Sequence, residues 1–355
     1  MEFIIDSLFN TFSGNMAIDL GTANTLIYMK RKGIVLNEPS VVSIARSKNQ
    51  VLAVGSDAKK MIGKTPGNIT AIRPMRDGVI ADFEATEVML KHFIRKARTR
   101  KAFFKPRIVI AVPSGITPVE KNAVIESAEQ AGARDVFLIE EPMAAAIGTG
   151  LPVGDPTCSM VIDIGGGTTE VAVISLYGTV YSSSIRVAGD KMDFAIKQFV
   201  KSKYNLLIGD ESAERIKMTV GNAYPDYHSM DVKGRDSLSG IPRIVSINAE
   251  DIRLAISEQI DTIIDGVKLV LEKTPPELAA DIVDNGVVLT GGVALLKNLD
   301  KLIQEEVGIP VKRAEKPLLT VALGSGKTLC NTQLLKNVMI NDIPPNIGRA
   351  EFSSA

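Results

Sequence analysis

The sequence predicts an α/β protein with two related halves, each a mixed sheet between helices. Two observations support this prediction. An apolar run, an Asp-x-Gly turn and a second apolar run occur together twice, at residues 16–29 and 160–174. Apolar runs around glycine-rich turns are typical of β-hairpins, and further short strands alternate with helical patterns along the chain, as in layered α/β domains. The repeated hairpin therefore predicts two halves of the same basic design.

The composition excludes several classes of protein. The chain has 355 residues, 45% of them apolar, which fits about two globular domains. Its 41 Lys and Arg balance 41 Asp and Glu, so we expect no nucleic-acid partner, which usually requires a basic excess. Two cysteines without a CxxC spacing and two histidines argue against a disulfide scaffold, a zinc site and a Ser-His-Asp triad. We expect a cytoplasmic protein, because no apolar run is long enough to span a bilayer and the N-terminus does not resemble a secretory signal.

The first half continues after its hairpin with strands and helices. Residues 107–112 form an apolar run that predicts a buried strand. A helix start follows at Thr117-Pro118-Val119-Glu120, where threonine can cap the helix, proline fits the first turn and glutamate completes a capping box. We expect this helix to run to about Gln130 and to stop at Gly132. The last predicted elements of this half are a strand at 136–139 and a helix that opens at 142–147.

The second half follows the same plan after its own hairpin. A helical pattern over Ala249–Glu272 stops before two prolines. The next predicted elements are a buried strand at 286–290 and a helix at 295–307. Two stretches interrupt the plan and are predicted to be insertions, a mixed one at 34–76 and one at 189–248. We expect the second insertion to contain one helical region and a polar, glycine-containing tail.

The two hairpins are candidates for binding the phosphates of ATP. Glycines let successive backbone N–H groups point at phosphate oxygens, and the hydroxyls of Thr22, Thr25, Thr168 and Thr169 can add donors. Asp19 and Asp163 end apolar strands, where each carboxylate can hold Mg²⁺ through water. An Asp-Gly turn can also simply close a hairpin, but the duplication favours phosphate binding. The candidate residues are Asp19, Gly21, Thr22, Ala23 and Asn24 in the first hairpin, and Asp163, Gly165, Gly166, Gly167 and Thr168 in the second.

Two other glycine-rich segments require separate interpretations. Gly291, Gly292, Val293 and Ala294 follow a predicted strand, where a nucleoside could lie flat against the backbone, although glycines at such turns are also common packing devices. Gly324–Thr328 ends like a P-loop, but Val321 occupies the position of the required first glycine. We therefore reject the P-loop interpretation.

Taken together and in this order, the motifs resemble those of the superfamily that contains actin, hexokinase and the DnaK chaperones. Asp19–Thr25 and Asp163–Thr169 are similar to its two phosphate motifs, and Thr290–Ala294 is similar to its adenosine motif. Residues 140–146 and 322–327 look like its two connecting helices. Within the superfamily, residues 33–42 and 72–83 resemble stretches of the MreB family. The resemblance spans nearly the whole chain.

The resemblance implies an actin-like fold, with two duplicated, ribonuclease-H-like mixed-sheet domains flanking a nucleotide cleft and a small inserted subdomain in each. The implied first domain spans 15–148, with its small subdomain at about 34–76. The second domain spans 149–320, with its small subdomain at about 189–248. An amphipathic membrane-binding segment at 1–14 precedes them, and a helix at 321–339 that returns to the first domain and a flexible tail at 340–355 follow.

The resemblance also assigns roles in slow ATP hydrolysis. Glu141, just before Pro142, would orient the attacking water, and we prefer it to Glu140 because the superfamily pattern counts back from the proline. Thr168 would contact the γ-phosphate or the water, with Asp19 and Asp163 in the Mg²⁺ shell. Glu214 and Lys217 lie one helical turn apart and would flank the adenosine, unless they form only an exposed salt bridge. We expect a slow ATPase coupled to filament assembly rather than a metabolic enzyme.

Two apolar segments are candidates for membrane contact. On a helix, most of the large apolar side chains of residues 1–13 share one face, which could bind a membrane surface or the protein's own core. Phe103 and Phe104 lie between basic residues and could insert among lipid head groups or cap the core. The family resemblance favours the membrane in both cases. The candidate membrane residues are Phe3, Ile5, Leu8, Phe9, Phe12, Phe103 and Phe104.

The expected function is that of a polymerising, ATP-dependent cell-shape protein, peripheral at the inner face of the cytoplasmic membrane. The resemblance implies three partners: the chain itself, with Val119 near the contact between paired protofilaments; the membrane; and cell-wall elongation proteins. Alternatives are a small-molecule kinase of the superfamily and a plasmid- or organelle-positioning filament. A DnaK-type chaperone would need a peptide-binding domain after the nucleotide domain, and we expect none because the chain ends near residue 355.

Overall fold

The computed structural model describes residues 14–45, 50–98 and 105–341. Contacts between residues divide the chain into two units. Unit 1 comprises Met1–Thr157, Ile174–Thr179 and Leu319–Ala355, and unit 2 comprises Cys158–Val173 and Val180–Leu318. Each unit is described by itself below.

Unit 1 contains ten strands and six helices among its described residues. Its strands are β1 (Met16–Leu20), β2 (Asn24–Met29), β3 (Gly33–Pro39), β4 (Val42–Ala45), β5 (Gln50–Val54), β6 (Ile69–Ile72), β7 (Met75–Arg76), β8 (Val79–Ile80), β9 (Arg107–Val112) and β10 (Asp135–Glu140). Its helices are α1 (Ser56–Lys59), α2 (Phe83–Ala97), α3 (Pro118–Gln130), α4 (Glu141–Thr149), and, near the end of the chain, α10 (Thr320–Cys330) and α11 (Thr332–Val338).

The main sheet of unit 1 has the order β10-β9-β1-β2-β3. The strands β1, β2 and β3 form an antiparallel meander, while β9 is parallel to both β1 and β10. Buried apolar side chains such as Phe93 and Ile110 pack α2 and α3 against this sheet. The first insertion provides a separate sheet of order β5-β4-β6.

Unit 2 contains the remaining elements. Its strands are β11 (Ser159–Ile164), β12 (Thr169–Ser175), β13 (Gly178–Ile185), β14 (Leu206–Leu207), β15 (Ser229–Asp236), β16 (Pro242–Asn248), β17 (Val287–Thr290) and β18 (Val311–Arg313). The last two residues of β12 and the first two of β13 belong to unit 1. Its helices are α5 (Gly189–Tyr204), α6 (Asp210–Val220), α7 (Ala249–Lys273), α8 (Pro276–Asn285), a short 3₁₀ helix (Gly292–Leu295) and α9 (Leu299–Val307).

The main sheet of unit 2 repeats the plan of the first. Its order is β13-β12-β11-β17-β18, and β17 is parallel to both β11 and β18. In each unit, three strands consecutive in sequence lie side by side, and two later parallel strands extend the sheet from the first of them. The shared order confirms the duplication that the repeated hairpin predicts.

Local signals in the sequence place several helix ends correctly. Thr117 accepts a hydrogen bond from the backbone N–H of Glu120 at 3.3 Å, and the Glu120 carboxylate accepts one from the backbone N–H of Thr117 at 2.9 Å. The predicted capping box is therefore confirmed, and α3 ends at Gln130 as expected. The helix predicted over Ala249–Glu272 is confirmed as α7.

Two predictions about unit 2 are wrong. The single helix predicted at 295–307 is broken into a 3₁₀ turn and α9, because Asn298 has a φ of 59° between them. The insertion at 189–248 contains two helices, α5 and α6, and a sheet of order β14-β15-β16 where we expected a polar tail. Only one side chain in four of β15 is buried, so its sequence lacks the regular apolar alternation that marks a strand.

Among the helices described, none is both long enough and apolar enough to cross a membrane.

Candidate nucleotide site

The first hairpin places its polar residues at the end of β1. Gly21 lies where β1 turns into β2, and a Cβ there would come within 2.7 Å of the carbonyl oxygen of Asn24. Ser40, the residue after β3, stabilises the turn. Its hydroxyl donates to the carbonyl oxygen of Gly21 at 2.7 Å, and its backbone N–H donates to the carbonyl oxygen of Ala23 at 3.0 Å. The turn is thus held from outside by a residue that sequence reasoning missed.

Asp19 has the electrostatic character expected of a cation ligand. Burial raises the pKa of its carboxyl group from 3.8 to about 7, although part of its surface stays accessible to solvent. A carboxylate whose charged form is disfavoured in this way gains most from a bound cation. The residues described form no cluster of three or more His, Cys, Asp or Glu side chains able to hold a metal alone. Mg²⁺ does not require such a cluster, because it is typically bound by one or two carboxylates together with water and phosphate.

Two of the four candidate hydroxyl donors are used within the fold. The hydroxyl of Thr25 lies 2.9 Å from that of Ser40, and the hydroxyl of Thr169 donates to the carbonyl oxygen of Val187 at 2.7 Å. Both threonines are fully buried. The prediction that they add donors for phosphate is therefore wrong, because each buried hydroxyl already has a hydrogen-bond partner within the fold.

Thr22 and Thr168 remain candidates. The Thr22 hydroxyl accepts a hydrogen bond from the backbone N–H of Gly78 at 3.1 Å, so its own proton can still be donated to a phosphate oxygen. Thr168 ends the turn of the second hairpin, where its carbonyl oxygen accepts from the backbone N–H of Gly165 at 2.9 Å. That bond closes the glycine turn 165–167.

The second hairpin lies directly beside the adenosine-type loop of the same unit. Asp163 pairs with Thr290 across the parallel strands β11 and β17. Gly291 follows with a φ of 85°, and a Cβ there would lie 2.3 Å from the carbonyl oxygen of Ile164 and 2.4 Å from Oδ1 of Asp163. Only glycine fits this conformation and this approach. The structure thus brings together two predicted motifs that lie far apart in the sequence.

A third contact joins α5 and α6 to this cluster at Gly189. A Cβ on Gly189 would lie within 3.4 Å of Nζ of Lys217, the carbonyl oxygen of Gly165 and Cγ2 of Val293. Lys217 donates to the carbonyl oxygen of Gly189 at 2.8 Å and forms an ion pair with Asp193 at 2.9 Å. Sequence reasoning found Lys217 but missed Gly189 and Asp193, because their role arises only when the helices pack.

Glu140 and Glu141 mark the junction of β10 and α4. The hydroxyl of Thr179 donates to Oε2 of Glu140 at 2.6 Å, and Glu141 is the first residue of α4, followed by the buried Pro142. Glu140 therefore has a partner that holds it at the end of β10. Thr179 is a further residue that the sequence did not indicate.

The P-loop-like segment lies inside a helix. Gly324–Thr328 belongs to α10, where Gly324, Ser325 and Gly326 are buried against the rest of unit 1. Helical backbone N–H groups here are used within the helix and cannot cradle a phosphate. The rejection of a P-loop is confirmed.

The chain's relationships agree with this geometry. The pattern of the family described as MreB/Mbl protein matches residues 13–337. The chain belongs to the MreB/Mbl family. It is 58% identical over 326 residues to the cell shape-determining protein MreB of Escherichia coli K12, covering 90% of this chain and 94% of that protein. It is 52% identical over 326 residues to the cell shape-determining protein Mbl of Bacillus subtilis 168, covering 91% of this chain and 98% of that protein.

Solved structures show that this MreB/Mbl chain has the actin-like fold predicted for it. The crystal structure of MreB5 of Spiroplasma citri bound to AMPPNP has a TM-score of 0.85 at 39% identity, covering 91% of this chain and 97% of that one. MamK, solved as a double helical filament, shares the fold at 19% identity. Its TM-score is 0.76, and the match covers 88% of this chain and 98% of the MamK chain. The family resemblance read from the motifs is thereby confirmed.

The predicted membrane residues of this family member lie outside the described part of the chain. These are Phe3, Ile5, Leu8, Phe9, Phe12, Phe103 and Phe104.

Proposed function

We propose that the chain binds ATP with Mg²⁺ through its two Asp-x-Gly hairpins and assembles into filaments that maintain rod cell shape by organising cell-wall synthesis. The observation that best supports nucleotide binding is a repeated arrangement on the equivalent strands β1 and β11 of two sheets with the same order: a buried strand with aspartate as its next-to-last residue, followed by a glycine turn. MreB5, a relative of the same family, was crystallised with AMPPNP and with ADP. MamK, which shares the fold, forms a double helical filament.

The residues of each unit would divide the work of hydrolysis. Asp19 and Asp163 would hold water ligands of Mg²⁺, which supplies neutralisation of the phosphate charge. Backbone N–H groups of the glycine turns would donate to phosphate oxygens, with Thr22 and Thr168 adding hydroxyl donors. Glu141 would orient the attacking water, and because a lone carboxylate is a weak base, we expect slow turnover suited to timing filament lifetime.

The first experiment is pelleting of the purified protein with and without Mg·ATP, compared with Asp163→Ala. We expect wild-type protein to pellet only with nucleotide and the variant to stay in the supernatant, because the carboxylate that organises Mg²⁺ is lost. Wild-type protein that binds ATP but stays soluble under all conditions would contradict the filament proposal. Such protein would be better explained as a small-molecule kinase of the same superfamily.

Membrane association is the second part of the proposal. The chain enters β1 after residue 13 and β9 after residue 104, and β1 and β9 are neighbouring parallel strands. The side-chain oxygen of Asn15 accepts a hydrogen bond from the backbone N–H of Arg107 at 3.0 Å, so both apolar segments join the sheet at the same end. We propose that both segments bind the inner face of the cytoplasmic membrane.

Liposome pelleting tests this part. Deletion of residues 2–12 combined with Phe103→Ser and Phe104→Ser should abolish binding to liposomes of bacterial lipids, because each buried large apolar side chain contributes about 1.5–3 kcal/mol. The control is Leu238→Ser with Ile241→Ser, which removes exposed apolar side chains elsewhere and should leave binding unchanged. Unchanged pelleting of the triple variant would show that these segments do not bind the membrane.

A further inference from the structure

Asp193 is a largely buried carboxylate of unit 2 that the proposed hydrolysis does not use. Its side chain is 16% exposed and that of its ion-pair partner Lys217 is 13% exposed. Nζ of Lys217 lies 2.9 Å from Oδ1 of Asp193, yet its well-directed hydrogen bond goes to the carbonyl oxygen of Gly189 at 2.8 Å. Within the described chain, Oδ1 of Asp193 has no other hydrogen-bond donor. Burying a charge with so few partners costs free energy of folding, so stabilisation of the fold does not explain why this pair is buried.

The pair occupies the junction between the candidate nucleoside and phosphate elements. Lys217 belongs to α6, whereas Asp193 and Gly189 belong to the first two turns of α5. The same end of α5 is bonded to the glycine turn of the second hairpin: the N–H of Gly189 donates to the carbonyl oxygen of Gly165 at 3.2 Å, and that of Asp190 donates to Gly166 at 2.8 Å. One ammonium group therefore links α6 to the phosphate turn through the end of α5.

We propose that Asp193 is a positioning residue of the nucleotide site, which holds the ammonium of Lys217 against the carbonyl of Gly189 and so fixes α6 relative to the second phosphate turn. The proposal rests on the proposed ATP binding and deepens it. Asp193 acts through Lys217, and without it the adenosine-flanking helix and the phosphate turn would no longer be held in one geometry. The ligand whose binding depends on this geometry is a nucleoside triphosphate, which must reach both elements at once.

The surroundings of Asp193 make this link sensitive to pH. Burial raises the pKa of its carboxyl group from 3.8 to about 6; the nearby Lys217 opposes this rise, while Asp190 and Glu214 add to it. Above pH 6 the carboxylate is charged and holds Lys217. Below pH 6 it becomes protonated, and the ion pair is lost.

A second ion pair between the same two helices provides a matched control. Lys197 of α5 and Asp210 of α6 lie 2.5 Å apart, with side chains 32% and 53% exposed. This pair also ties α5 to α6, but within the part of the chain that the structure describes neither side chain hydrogen-bonds to Gly189 or to the glycine turn. If the Asp193 pair only fastened the helices together, removing either pair would have a similar effect.

The test measures Mg·ATP binding by calorimetry for wild type, Asp193→Asn and Asp210→Asn at protein concentrations below assembly. At pH 8 we expect Asp193→Asn to bind roughly tenfold more weakly, the scale on which contacting residues couple, and Asp210→Asn to bind like wild type. As the pH falls to 5, the ratio of wild-type to Asp193→Asn affinity should approach one, since the native carboxyl group becomes neutral. Using the ratio cancels the titration of ATP itself.

Three further variants keep the outcomes distinct. Asp193→Glu retains the charge and should keep the pH dependence even if its affinity falls, and Asp193→Asn with Lys217→Met should bind no more weakly than Lys217→Met alone, because Asp193 acts through Lys217. If Asp163→Ala loses ATP while Asp193→Asn matches either wild type or Asp210→Asn at every pH, the positioning role is refuted and ATP binding stands. If Asp163→Ala binds ATP normally, the proposed site is wrong, and the role of Asp193 falls with it.

Discussion

Asp19 and Glu38 lie on strands of the same sheet, yet the pKa values of their carboxyl groups are shifted in opposite directions. Burial raises the pKa of Asp19 to about 7. Burial also acts to raise that of Glu38, but hydrogen bonds from Lys96 and Ser56 outweigh it and lower the pKa to about 2. The contrast follows from partners rather than residue type. Glu38 joins β3, α1 and α2, whereas Asp19 keeps an uncompensated carboxyl group where a cation would be bound.

Glu38→Gln should therefore destabilise unit 1. The lowered pKa means that the native carboxylate contributes stability above its ordinary pKa of about 4.5, and that this contribution is lost as the pH falls towards 2. We expect a loss of about 1–2 kcal/mol at pH 7, because Lys96 is half exposed. The difference from wild type should shrink towards pH 3. Urea denaturation at both pH values measures it.

The comparison variant is Asp57→Asn, which removes an exposed pair with Lys60 and should change stability little. Equal effects of the two substitutions would show that the position of Glu38 between three elements is unimportant.

Among the elements, α4 and α10 pack with their backbones in unusually close contact. A Cβ on Gly324 would lie 1.7 Å from the carbonyl oxygen of Ala144, and one on Gly148 would lie 2.0 Å from that of Thr320. Lys327 strengthens the contact by donating to the carbonyl oxygen of Ile147 at 2.7 Å. The glycines that imitate a P-loop are thus packing residues. Because they have no side chain, they let the backbones of the two helices approach each other.

Gly324→Ala should be strongly destabilising, since the added methyl group overlaps backbone atoms that no side-chain rotation can move. We expect a loss of about 3 kcal/mol or more, read as a lower midpoint of thermal unfolding. Gly67→Ala is the control, because a Cβ there meets no atom within 4 Å. Wild-type stability of Gly324→Ala would mean that the two helices are farther apart than the structure shows.

At the scale of the whole molecule, assembly requires exposed surface that folding leaves uncovered. Val119 is 76% exposed in the first turn of α3, although a single exposed valine by itself is ordinary. The family resemblance places this helix near the contact between paired protofilaments. The capping box at Thr117 fixes the start of the helix independently of any partner, so the surface is formed before assembly.

Val119→Glu should separate assembly from folding. A carboxylate in the first turn of a helix is favourable, so we expect unchanged thermal stability, while an uncompensated charge in an apolar contact should prevent pairing of protofilaments. Electron microscopy with Mg·ATP should show single rather than paired filaments. Val283→Glu, at a valine that is 57% exposed on α8, should still form pairs, and paired filaments of Val119→Glu would exclude this helix from the contact.

The sequence by itself determined those features whose signals are local. The apolar runs around Asp19 and Asp163, the capping box of Thr117 and Glu120, and the missing glycine at Val321 each lie within a few residues. The structure confirms the two hairpins, the helix start and the absence of a P-loop at Gly324–Thr328. The tertiary structure alone decided which polar groups remain for a ligand. The hydroxyl of Thr169 donates to the carbonyl oxygen of Val187, and Lys217 forms an ion pair with Asp193 of another helix. Such partners lie many residues apart, and because a buried polar group bonds to whatever packing brings near it, no local pattern identifies them.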